Sequence, residues 1–311
     1  MRIVVTGAGK NSFLGWHVRK AFETYISDVS KYHIKYVGSE YDLTQRADTK
    51  QLFLDLKPDV VVHMAAQCGG ILANKNSPAD FISDNTYMSL NMYTIAQEMK
   101  LKTLYTLGSV CAYPKYCPVP FSEDDLFNGY PEETNAPYGQ AKRTLLMLGQ
   151  TYRKQYGIGG AHLIPVNMYG EHDHFDLTNS HVIPALINKF VHAKVNHLPN
   201  VTVWGTGNAT REFLYAGDCA DAIVKAVTTN LDTDKPINIG TGKDISIMDL
   251  AYLLSQLIGY TGKIIFTGEV SDGQPERRLD VSRAKEILNF EATTNLKSGL
   301  IKTISWYIHQ K

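Results

Sequence analysis

Four cysteines are few for 311 residues, and Cys68, Cys111, Cys117 and Cys219 form no CxxC pair and have no histidine at metal-ligand spacing. Neither a disulfide framework nor a metal site is expected, and reduced thiols fit a cytoplasmic protein. Net charge is equally lacking, since 31 basic and 31 acidic residues cancel to zero. No overall field draws the chain to nucleic acid or to an anionic membrane, so any phosphate has to be caught locally. Long apolar runs are missing too. None reaches the roughly 18 residues that cross a bilayer, and no secretory leader precedes the strand-like start Arg2-Ile3-Val4-Val5-Thr6, so export is not expected. The 44% hydrophobic, 20% charged composition suits a globular protein with a large core.

What is present is an alternation. Short apolar runs of buried-strand length recur at residues 3–5, 34–37, 60–64, 103–107 and 162–166. Between them, apolar residues stand at helical spacing, as in Phe13, Leu14, Val18 and Phe22 or Met88, Met92, Ile95 and Met99. Repeated βα units imply an α/β fold, a Rossmann-type doubly wound parallel sheet covered on both faces. After Gly170 a polar stretch, 171–180, leads into a helical segment from 182 to about 193. Strand-like pieces at 201–204, 237–239 and 264–266 follow, then an amphipathic helix through Leu300, Ile304 and Tyr307. Residues 1–170, with a return segment around 212–245, are expected to form a dinucleotide-binding domain. Residues 171–311 mainly form a smaller α/β substrate-binding domain packed directly on it.

The turn after the first strand reads Thr6-Gly7-Ala8-Gly9-Lys10-Asn11-Ser12-Phe13-Leu14-Gly15. Glycine there lets the backbone turn tightly and approach a pyrophosphate, whose charge meets the amides at a helix N-terminus. A strand before it and a helix after it give the motif its meaning, so Gly7, Gly9, Phe13 and Leu14 are expected to hold a dinucleotide. The interval from Gly7 to Gly15 is longer than usual, with Ser12 near the place of the middle glycine. The second strand ends at Tyr36-Val37-Gly38-Ser39 with no acidic residue at its tip for a ribose 2′-hydroxyl, which disfavours NAD(H) without excluding it. Lys10 is placed to meet a 2′-phosphate, making NADP(H) the expected cofactor. Asp42 and Leu43 would lie beside the adenine, and Ala65 and Ala66 beside the ribose.

A Tyr-x-x-x-Lys pair puts a phenol and an ammonium one helical turn apart on one face. The chain has two, Tyr138/Lys142 and Tyr307/Lys311. No phosphate loop or serine strand is placed to serve the second, which reads as a surface accident. Tyr138 instead follows a buried strand ending at Leu107-Gly108-Ser109, and ligands bind at the carboxyl edge of a parallel sheet. There Ser109 and Tyr138 would hydrogen-bond a substrate carbonyl, while Lys142 lowers the phenol's pKa and holds the nicotinamide ribose.

Several longer motifs accompany these residues: Gly69-Gly70-Ile71 with Pro78-Ala79-Asp80-Phe81, Gly108-Ser-Val-Cys-Ala-Tyr-Pro114, Tyr138-Gly-Gln-Ala-Lys142, Asn167-Met-Tyr-Gly170, Asn179-Ser-His-Val-Ile-Pro184, Trp204-Gly-Thr-Gly207 and Arg211-Glu-Phe213. In them the chain resembles the extended short-chain dehydrogenase/reductase superfamily and, within it, the GDP-L-fucose synthase family. The resemblance implies an enzyme that epimerises C3 and C5 of GDP-4-keto-6-deoxy-D-mannose and reduces C4 with NADPH. It implies Cys111 and His181 as the proton handlers beside the ketone, and Pro165, Met168 and His181 as further cofactor contacts. Asn167, Lys189, Trp204, Arg211 and Arg277 would hold the GDP-sugar, with the cations on the diphosphate and the indole packed on the ligand. A homodimer through helices near 85–100 and 138–156 is implied as well. Where the family carries basic residues near the second strand, this chain has Tyr36 and Gly38. Relatives with this framework act on other GDP-4-keto sugars, including heptoses and dideoxy sugars. Val110-Cys111 stands where a sugar-nucleotide dehydratase carries Asp-Glu, so dehydration is not expected. A non-catalytic dinucleotide sensor is the reading from another class, and the full set of proton donors argues against it.

Overall fold

The computed structural model describes residues 1–25, 31–176, 180–268 and 274–310. Its first half alternates strands and helices: β1 (Arg2–Thr6), α1 (Phe13–Tyr25), β2 (His33–Val37), α2 (Arg46–Leu56), β3 (Val60–His63), α3 (Ile71–Asn76), α4 (Pro78–Glu98), β4 (Thr103–Leu107), α5 (Ala136–Tyr156) and β5 (His162–Pro165). The second half runs β6 (Asn167–Tyr169), α6 (Val182–Val195), β7 (Asn200–Val203), β8 (Thr210–Tyr215), α7 (Ala216–Thr228), β9 (Ile237–Ile239), β10 (Asp244–Ser246), α8 (Ile247–Ile258), β11 (Lys263–Phe266), α9 (Ser282–Leu288) and α10 (Leu296–His309).

The strands of the main sheet are ordered β2-β1-β3-β4-β5-β9 and pair in parallel throughout. Successive side chains of a strand point to opposite faces. Ile3, Val5, Val60, Val62, Tyr105 and Leu107 therefore share one core with Val18 and Phe22 of α1 and Ile223 of α7. Val4, Val61 and Leu104 enter the other core with Leu52 of α2, Met92 of α4 and Leu145 of α5. Each such side chain contributes about 2 kcal/mol on burial, and a strand buried on both faces reads as a continuous apolar run. All these strands end on the same edge, so the turns after β1, β3 and β4 lie side by side.

A third core joins α6, α8 and α10 through Ile187, Phe190, Leu250, Leu254, Leu300 and Ile304. It backs a three-stranded sheet, β10-β8-β6, that sequence periodicity does not reveal. Its strands Asn167-Met-Tyr and Asp244-Ile-Ser are too short and too polar to display a period of two. Tyr307, read from sequence as a surface residue, is buried in this core and stacks on Phe175 with ring centroids 4.4 Å apart. Its companion Lys311 lies outside the described residues, as does Asn179.

Candidate active site

The loop after β1 passes closer to its neighbours than any side chain would allow. Gly7 has φ +71°, and a Cβ there would stand 2.5 Å from the Ala65 nitrogen; at Gly9 it would stand 2.9 Å from the Gly38 Cα. The loop thus packs backbone to backbone against the ends of β3 and β2, the tight glycine turn that a dinucleotide site is built on. Ser12 Oγ donates to the Gly7 carbonyl (2.6 Å) and accepts from the Gly15 N–H (3.1 Å), so the serine in the middle-glycine place closes the lengthened turn and caps α1. Lys10 is exposed beside it, while Phe13 and Leu14 are half-buried at the start of the helix.

One expectation about the adenosine end changes. Glu40 folds back so that its carboxylate accepts the Gly38 N–H, and an acidic group does therefore stand at the tip of β2. Reading only as far as Ser39 missed it, because the turn and not the strand delivers the side chain. Nearby, the Asp42 carboxylate takes the Thr44 N–H and hydroxyl, and Leu43 is buried with its carbonyl accepting from Asn91. Ala65 and Ala66 are half-buried after β3, Pro165 ends β5 in the interior, and Met168 is half-buried on β6.

Ser109 follows β4 in extended conformation, and its Oγ accepts the Cys111 N–H at 3.2 Å. Helix α5 brings Tyr138 close to the same hydroxyl. Gly139 makes this approach possible, since a Cβ there would sit 2.4 Å from the Cys111 carbonyl oxygen. Lys142, one turn on, donates to the Leu107 carbonyl at 2.9 Å and lies 5.6 Å from the centre of the Tyr138 ring. Burial lowers its ammonium to about 8. The phenol is not lowered as expected: burial raises Tyr138 well above its ordinary value, with only the Ser109 hydroxyl opposing. Lys142 sits against the ring and a carbonyl rather than at the hydroxyl. His63 and His162, both buried, flank this lysine and hydrogen-bond Thr6 and Thr106.

Cys111 is contacted from a distant segment. Arg277 Nη1 donates to its sulfur at 3.7 Å, and Gln274, held by the carbonyls of Pro114 and Lys115, braces the buried guanidinium. Arg277 therefore stands beside Cys111. Lys189 and Trp204 come together elsewhere, the ammonium 4.8 Å from the indole ring and bonded to the Thr202 carbonyl, with Trp204 58% exposed. Asn167 donates to the Glu212 carbonyl and Arg211 to that of Thr210, both at the β6–β8 pairing.

His181 stands just before α6 with its side chain 50% exposed and its Nδ1 4.0 Å from Asp173 Oδ1. Desolvation pulls the imidazole down, but the nearby Asp173 carboxylate more than offsets it, leaving the group above its ordinary value. Sequence reasoning missed Asp173, and also Cys68, whose thiol feels the charges of Lys142, Asp173 and Cys111 and so lies between the two halves of the site. It missed Glu212 as well, a fully buried carboxylate that accepts the N–H groups of Thr241, Gly242 and Leu279 and ties β8 to the segment carrying Arg277. The only sequence signal for Glu212 was its place inside the Arg211-Glu-Phe213 motif.

Residues 3–240 match the family described as NAD dependent epimerase/dehydratase. At 40% identity over 267 residues, covering 86% of this chain and 84% of the relative, the chain is similar to a GDP-L-fucose synthase of Sinorhizobium fredii (strain NBRC 101917 / NGR234). Among solved structures it is similar to a GDP-6-OMe-4-keto-L-xylo-heptose reductase from C. jejuni (TM-score 0.91, 25% identity, covering 100% of this chain and 98% of that one). It is also similar to a GDP-L-fucose synthetase from Naegleria fowleri bound to NADP (TM-score 0.86, 25% identity, covering 99% and 94%).

Proposed function

The chain belongs to the NAD dependent epimerase/dehydratase family and, within it, to the GDP-L-fucose synthases, and from that premise we propose that it converts GDP-4-keto-6-deoxy-D-mannose to GDP-L-fucose by epimerising C3 and C5 and then reducing C4. The observation that carries this reading is the gathering of Ser109, Cys111, Tyr138 and Lys142 at the carboxyl end of β4. The Gly7–Gly9 turn would hold NADPH, which would supply the hydride for C4. Everything else is done by the chain's own side chains. Ser109 and Tyr138 hold the ketone oxygen, which acidifies the neighbouring C–H bonds and carries the enolate charge. Cys111 and His181 exchange protons at C3 and C5. The raised phenol of Tyr138 keeps its proton until negative charge develops on O4, then delivers it there. Lys142, fixed on the Leu107 carbonyl, meets the ribose. Trp204, Lys189 and Arg211 take the GDP portion, with Asn167 beside them.

Residues 1–170, with the returning 212–245, serve the cofactor, and 171–311 mainly serve the sugar nucleotide. No helix among the described residues is long and apolar enough to cross a membrane, and we assign the reaction to the cytoplasm. We assign a homodimer through α4 and α5, whose surfaces expose Ile82, Tyr87, Leu90 and Met147; a monomer in sedimentation would refute it.

The test is incubation with GDP-4-keto-6-deoxy-D-mannose and NADPH in deuterated water. Deuterium at C3 and C5 with stoichiometric NADPH oxidation is expected, and a folded protein giving neither would sink the proposal. Similarity to the heptose reductase favours a second reading, reduction or epimerisation of a related GDP-4-keto sugar. That reading predicts turnover of the heptose substrate with only one of the two signals.

A further inference from the structure

We propose that Asp173 is a positioning residue for His181, a buried carboxylate that fixes the imidazole with Nδ1 inward and leaves Nε2 to exchange protons with the sugar. The inference rests on the epimerase reading above. Asp173 lies on the loop between β6 and α6 and is only 6% exposed. A buried carboxylate costs several kcal/mol unless it is paired. Here Oδ1 accepts the His174 N–H at 2.7 Å and lies 4.0 Å from His181 Nδ1, while Oδ2 has no hydrogen-bond donor among the described residues. Neither of the other groups that feel its charge supplies a cation: Cys68 is a thiol, and burial holds His17 toward its neutral form. Among the described residues His181 is therefore the one cation within ion-pair reach of Asp173, and pairing with its imidazolium is what makes the buried charge tolerable.

The loop is built to hold this aspartate still. His172, just before it, has φ +66°, a conformation costly for a residue with a Cβ. Its ring is clamped between Trp16 of α1, stacked at 4.5 Å, and Trp306 of α10 at 4.7 Å. Glu171 accepts the Tyr215 hydroxyl at 2.8 Å, and its carbonyl is 3.1 Å from His17 Nε2. Asp173 is thus anchored from the cofactor helix on one side and from the C-terminal helix on the other. Fixing Nδ1 assigns the tautomer, and the imidazole keeps its proton to a higher pH beside the carboxylate.

The experiment compares wild type with Asp173→Asn in the full chain. Deuterium incorporation beside the ketone is measured across pH, together with reduction of a pre-epimerised ketone, NADPH affinity and the titration of His181 by NMR, assigned with His181→Asn. The expected result is epimerisation slowed roughly 10- to 100-fold in kcat with KM unchanged, reduction and NADPH affinity unchanged, and the alkaline limb of the epimerisation profile moved to lower pH. Unchanged epimerisation with an unchanged profile would overturn the proposal, and so would an equal loss in reduction. Should Asp173→Asn fail to fold, wild type alone decides: a His181 midpoint above the ordinary 6.5 supports the pairing, and one at or below it overturns it. If wild type incorporates no deuterium, the functional reading has failed, and the His181 titration still tests the pairing without substrate.

Discussion

At the scale of single residues, burial decides what each acid or base can do. Tyr138 is pushed up and remains a proton donor at neutral pH, whereas Lys142 is brought down to about 8 and retains enough charge to bind a ribose. Cys111 sits two residues from Ser109, with Arg277 on its sulfur. A hydroxyl in its place is too weakly acidic to exchange protons with carbon. Cys111→Ser should therefore cut deuterium incorporation about 100-fold or more while reduction of a pre-epimerised ketone stays near wild type, as product NMR would show. Glu40 is a second residue with a clear expectation. Its exposed carboxylate stands at the strand tip where an acidic group favours the unphosphorylated ribose. Glu40→Gln should tighten NADPH binding by about 1 kcal/mol at low salt and weaken NADH, measurable by fluorescence titration. The motif residues Ser109, Tyr138, Lys142 and Cys111 were legible because each lies in a short, ordered string. Glu40 was not, because a turn brings it back to the strand.

At the scale of elements, close approach replaces side-chain contact. The loop after β1 and the tip of β2 meet at Gly9 and Gly38 with no room for a Cβ. Gly9→Ala must push them apart, so NADPH affinity should fall roughly tenfold or more while the circular dichroism spectrum keeps its helical signal. Glu212 plays the corresponding role for the second region, drawing three backbone N–H groups onto one buried carboxylate. Glu212→Ala leaves those donors unsatisfied and should cost about 3 kcal/mol, seen in denaturant titration. The βα order was readable from apolar runs, since a strand buried on both faces has no polar alternation to hide it. The sheet β10-β8-β6 was not, because its outer strands β10 and β6 have three residues each and carry no period.

At the scale of the whole molecule, two histidines link stability to pH. His63 and His162 are buried beside Lys142, and burial first, then the ammonium, lowers both to about 3. Unfolded, each titrates near 6.5. The folded state therefore holds them neutral, and their contribution is fully present above pH 6.5 and lost as the pH falls toward 3. Each unit of pH in that window costs about 1.4 kcal/mol per histidine, or about 4 kcal/mol for the pair at pH 5. Urea unfolding at pH 7 and pH 5 should show a loss of that order. A flat profile over that range would mean the pair does not carry it.

The sequence by itself determined the α/β class, the glycine turn after β1 and which residues were candidates for the reaction, because strand periodicity and short motifs are local and survive without neighbours. Tertiary structure alone decided which distant groups those residues answer to. Arg277 reaches Cys111, Asp173 stands beside His181 next to a His172 ring held between Trp16 and Trp306, and Tyr138 is raised rather than lowered. Burial and charge depend on what the chain brings back from far away, and no local pattern encodes that distance.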